Sequence, residues 1–78
     1  MYFYFTKNNA LVSEREIKSI SVSPYKDEFS PAFGIEFVFQ NDRSGIFGMF
    51  DKDGAAECLD WLADQIGMGN AIVRVDLS

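Results

Sequence analysis

Four carboxylates, Asp53, Glu57, Asp60 and Asp64, stand three or four residues apart in the stretch from Asp51 to Gly69, DKDGAAECLDWLADQIGMG. At about 100° per residue they line up on one side of a helix, with Ala55, Cys58, Leu59, Leu62 and Ile66 clustered almost opposite. No Lys or Arg falls on the acidic line. Like charges at this spacing cost a few tenths of a kcal/mol per pair, and Asp64 lies near the helix end where the dipole disfavours an anion. Two functions fit such a line. It is either a solvated face that keeps a small protein in solution or a docking face for a basic partner, and a face selected only for solubility would usually mix signs. Charges spaced by one helical turn, roughly 5.4 Å, also form a row loosely comparable to a phosphate strand. Trp61 falls at the border of the stripe and the line, beside Gln65. Its ring either closes the edge of the core or anchors a partner, since Trp is enriched among binding hot spots.

The other residues that could do chemistry have simpler explanations. Cys58 sits in the middle of the apolar stripe, where a free cysteine behaves as a small hydrophobe. A nucleophilic role needs a lowered pKa and a nearby base, and the chain has no histidine. That also removes any Ser-His-Asp or Cys-His arrangement. Asp51-Lys52-Asp53-Gly54 begins like a calcium loop, but the fifth, sixth and twelfth positions are Ala55, Ala56 and Leu62 where the loop needs an oxygen ligand, Gly and Glu. A helix cap is the better account. Gly67-Met68-Gly69 follows a helix instead of leading from a strand into one, so it reads as a helix stop and not as a phosphate cradle. Carboxylates on a wet helix face have nothing to separate their pKa values for acid/base work. A non-enzyme is expected, with no catalytic, cofactor-binding or metal-ligating residue.

Composition narrows the partners. The net charge of −5 is uneven: residues 46–78 hold Lys52 and Arg74 against six acids, net −4, while residues 1–45 are net −1. Such a surface repels nucleic acid and anionic membranes, because binding a phosphate backbone depends on Lys and Arg displacing counterions. One cysteine cannot form an internal disulfide, no zinc-site spacing occurs, and no apolar run approaches the roughly 18 residues of a membrane span. MYFYFTK lacks the basic leader and cleavage site of a signal peptide. A cytoplasmic protein is the expectation.

Around the helix the chain reads as strands. Tyr2 to Thr6 alternates, with Phe3 and Phe5 on one face and Tyr2 and Tyr4 on the other. Lys7-Asn8-Asn9 is a turn, Ala10 to Val12 a short return strand, and Glu16 to Ser23 a strand with Ile20 and Val22 in phase. Tyr25 to Pro31 reads as a loop, with Phe29 folded back as an anchor. Phe33 to Gln40 is the strongest strand, placing Phe33, Ile35, Phe37 and Phe39 on one face; Asn41 to Ser44 turns it into Gly45 to Phe50. Asp51 or Asp53 caps the helix and Gly67 or Gly69 stops it. Asn70 to Leu77 closes the chain as a strand, with Ala71, Val73, Val75 and Leu77 in phase.

The expected fold is a single α+β domain over residues 1–78, a mainly antiparallel sheet of four to six strands with one helix packed on one face. One helix cannot cover all of Tyr2, Tyr4, Val38 and part of the hairpin unless the sheet curls strongly or another chain covers them, so a homodimer through the uncovered sheet face or an edge strand is one expectation. The other is a small acidic binding module or inhibitor that occupies a basic, possibly nucleic-acid-binding, surface of a protein partner through Asp53, Glu57, Asp60, Trp61 and Asp64. Size, negative charge and lack of catalytic groups are what small phage-encoded inhibitors, including anti-CRISPR proteins, often have, an analogy of composition and not of any family motif.

Overall fold

The computed structural model describes residues 1–25 and 32–77. Among these described residues, six strands and one α-helix follow in the order β1 (Tyr2–Phe5), β2 (Ala10–Ser13), β3 (Ile17–Pro24), β4 (Phe33–Phe39), β5 (Ser44–Phe50), α1 (Lys52–Gly67) and β6 (Ile72–Val75). A single 3-10 turn, Glu14–Glu16, separates β2 from β3. Of the expected loop from Tyr25 to Pro31, all but Tyr25 lies outside the described residues, as does the expected anchor Phe29.

The class is α+β as expected, but the single sheet is not. The strands form two three-stranded sheets, ordered β2-β1-β6 and β3-β4-β5. The break falls at the 3-10 turn: Glu14 N–H still donates to the Met1 carbonyl at 3.1 Å, one position beyond the β1–β2 pairs, and Ser13 Oγ accepts from the Arg15 amide at 3.4 Å as the chain turns towards β3. Three of the four strand pairings are antiparallel, and β1 with β6 is parallel. A parallel neighbour needs a long crossover; here everything from β2 through α1 supplies it.

The two tight turns use residues that tolerate positive φ. Asn9 (φ 51°) ends the β1–β2 turn and Asp42 (φ 65°) sits in the β4–β5 turn, where its amide donates to the Phe39 carbonyl at 2.9 Å. In β5, Ile35 pairs with Phe47 but Phe33 pairs with Phe50, so β5 carries one extra residue. Gly48 absorbs it at φ +78°, a conformation that side chains rarely adopt.

Period-two alternation then decides what is buried. Phe3 and Phe5 from β1, Val73 and Val75 from β6, Ile35 and Phe37 from β4 and Phe47 from β5 converge on one core with Leu62 of α1. Each such side chain contributes about 1.5–3 kcal/mol on burial. The two sheets meet through aromatic rings, including Phe3 of β1 against Phe37 of β4 at 5.9 Å and Phe5 of β1 against Phe47 of β5 at 5.0 Å between centroids. The helix packs against β3, β4, β5 and β6, with Cys58, Leu59 and Ile66 at the margin of the core. The expected strand from Asn70 to Leu77 is shorter, Ile72–Val75, and Ala71, expected in phase with the buried Val73 and Val75, precedes it and is exposed.

Candidate functional site

The helix owes its position to its two ends. Asp51 is the cap: its Oδ1 accepts from the Gly54 amide at 2.6 Å, satisfying one free donor of the first turn. Asp53 follows inside the first turn, where a carboxylate complements the dipole. At the far end Met68 N–H donates to Asp64 O and Gly69 N–H to Ile66 O, and Gly69 (φ +70°) makes the left-handed stop. Asn70 Nδ2 donates to both the carbonyl and the Oε1 of Gln65, at 3.4 and 3.2 Å, tying the exit chain back to the last turn.

With the stripe of Ala55 and Leu62 buried beneath, the structure brings all four acidic-line residues to the surface. Asp53, Glu57, Asp60 and Asp64 are each exposed. Among the described residues the ion pairs are Met1 N-terminus with Glu14 (3.6 Å) and Lys18 with Asp42 (3.1 Å), and neither involves the helix. From Asp53 to Asp64 the line runs eleven residues, roughly 16 Å at 1.5 Å per residue. Trp61 lies beside it, 48% exposed, with Glu57 one turn before and Asp64 one turn after. The residue is thus half open to solvent.

Met68, seven residues on from Trp61 and therefore on the same side of the helix, is 69% exposed. It was not singled out from the sequence because it falls in the helix stop, although the same 100° wheel would have placed it there.

A second surface lies on the β2-β1-β6 sheet, on the face turned away from the core. Its register sets Ser13, Tyr2 and Ile72 in one row and Leu11, Tyr4 and Arg74 in the next. Tyr2, Leu11 and Ile72 are 47%, 54% and 56% exposed, and the Arg74 guanidinium sits 5.7 Å from the centre of the Tyr4 ring. That distance is within cation–π range. The expectation that Tyr2 and Tyr4 face away from the core holds for both, with Tyr4 half-buried. Leu11 is a residue that sequence reading missed, since a four-residue strand shows its phase only through the hairpin register.

Other features offer little. An open depression of about 420 Å³ is lined by Thr6, Lys7, Asp76 and Leu77, with the Thr6 hydroxyl donating to Asp76 Oδ1 at 2.8 Å. Among the described residues no three of Cys, Asp and Glu come together as a metal site, and no helix is long and apolar enough to cross a membrane. Cys58 is a free thiol whose partial burial pushes its pKa up, the reverse of what a nucleophile needs. Comparison with known proteins finds no matching family model, no matching curated protein and no matching solved structure.

Proposed function

We propose that this protein is a small, non-catalytic binding module that acts in the cytoplasm by occupying a basic surface of a protein partner. Asp53, Glu57, Asp60 and Asp64 meet that surface and Trp61 anchors it. The observation that carries the proposal is the line of four exposed carboxylates, none ion-paired among the described residues, beside a half-exposed Trp. A row of like charge this close is locally costly, and a partner with Lys and Arg offsets the cost. Complementary charge speeds encounter, and a large ring entering a pocket slows release. A basic groove that otherwise holds a nucleic-acid backbone has the matching sign and a comparable charge spacing. Blocking such a groove is how a phage-encoded inhibitor of the anti-CRISPR kind would act.

The test is affinity capture from a lysate of the native host or of its target organism, comparing wild type with Asp60→Lys/Asp64→Lys after circular dichroism shows both folded. Loss of partners in the reversed variant, and their release from wild type by salt, is the expected outcome. Retention of every partner by a folded reversed variant overturns the proposal.

A second function, self-association, is favoured by one specific observation: Tyr2, Leu11 and Ile72 are all exposed on the outer face of the β2-β1-β6 sheet. Sedimentation equilibrium over a range of concentrations tests it, with Leu11→Glu as the disrupting variant. A wild type that stays monomeric throughout removes it.

A further inference from the structure

We draw no further inference here: the strongest candidate, the outer face of the β2-β1-β6 sheet around Tyr2, Leu11 and Ile72, is the surface already given to self-association above, and nothing in the structure shows what else would cover it.

Discussion

Phe5 and Phe37 meet edge to face, with ring centroids 4.9 Å apart and planes at 83°. One ring comes from β1 and the other from β4, and these strands belong to sheets that share no strand pairing. The join is therefore made by side chains. Phe5 also stacks on Phe47 at 5.0 Å, and Phe3 meets Phe37 at 5.9 Å, so Phe37 touches both inward rings of β1. Edge-to-face pairs add about 0.5–1.5 kcal/mol beyond the area they bury.

Phe37→Ala is expected to destabilise the chain by about 3–5 kcal/mol, the range for removing a fully buried Phe. A chain of 78 residues has a total stability on the order of 4–12 kcal/mol, so this variant loses a quarter or more of it and, at the low end of that range, is near unfolding at room temperature. Phe37→Leu, which keeps most of the volume, should lose less. Urea denaturation followed by far-UV circular dichroism measures both; a loss below about 1 kcal/mol for Phe37→Ala would mean the sheets are held together elsewhere.

The two glycines near the helix end should respond in opposite directions. Gly67 is the last helical residue and a Cβ there would meet nothing within 4 Å. Gly67→Ala should therefore stabilise by up to about 1 kcal/mol through helix propensity and a less free unfolded chain. Gly69 has φ +70°, so Gly69→Ala forces a side chain into the left-handed region and should cost about 1 kcal/mol. Thermal melts of the two variants would show opposite shifts, and equal shifts would argue that Gly69 is not the stop.

The sequence left Gly67 and Gly69 undecided because periodicity ends for both, and only backbone conformation separates them. The same limit explains what else was and was not legible. Alternation in Phe33–Phe39 and Tyr2–Phe5 is local, and it predicted the inward faces that hold Ile35, Phe37, Phe3 and Phe5. The acidic line was visible for the same reason, since a 16-residue helix fixes its own phase. Pairing between distant strands carries no such local signal: the parallel register of Tyr2 with Ile72 spans nearly the whole chain. The division into two sheets rests on the short Glu14–Glu16 turn, whose residues read equally well as the start of a strand. Leu11 went unnoticed because β2 is too short to show a period by itself.

Cys58 predicts a pH dependence with a definite sign. Burial raises its thiol pKa in the folded chain. Between the ordinary thiol value, about 8.5, and the raised one, the unfolded chain releases a proton that the folded chain keeps. Stability therefore falls as pH rises through that window, and Cys58→Ala should abolish this part of the slope. Alkylation by iodoacetamide at mildly alkaline pH should also be slower in the folded protein than in urea, since less thiolate is present and access is partial. Equal rates would show that the helix margin does not shield the thiol.

Trp61 is the chain's single tryptophan, so its fluorescence reports the candidate site directly. At 48% exposure its emission should be readily quenched by neutral acrylamide. Charged quenchers should divide by sign. Glu57 and Asp64 lie one turn to either side of the ring, and the acidic line makes the local potential negative. Iodide should quench less well than caesium, after correction for their intrinsic efficiencies, and added salt should narrow the difference through screening. Asp60→Lys/Asp64→Lys, which leaves two carboxylates against two lysines on the line, should remove most of the difference without loss of stability, because both carboxylates are exposed and removing like-charge neighbours stabilises the helix by a few tenths of a kcal/mol. The same measurement separates the two roles of the helix. If iodide and caesium quench alike at low salt, the line does not concentrate charge at the ring, and Trp61 would have to recruit a partner without electrostatic help.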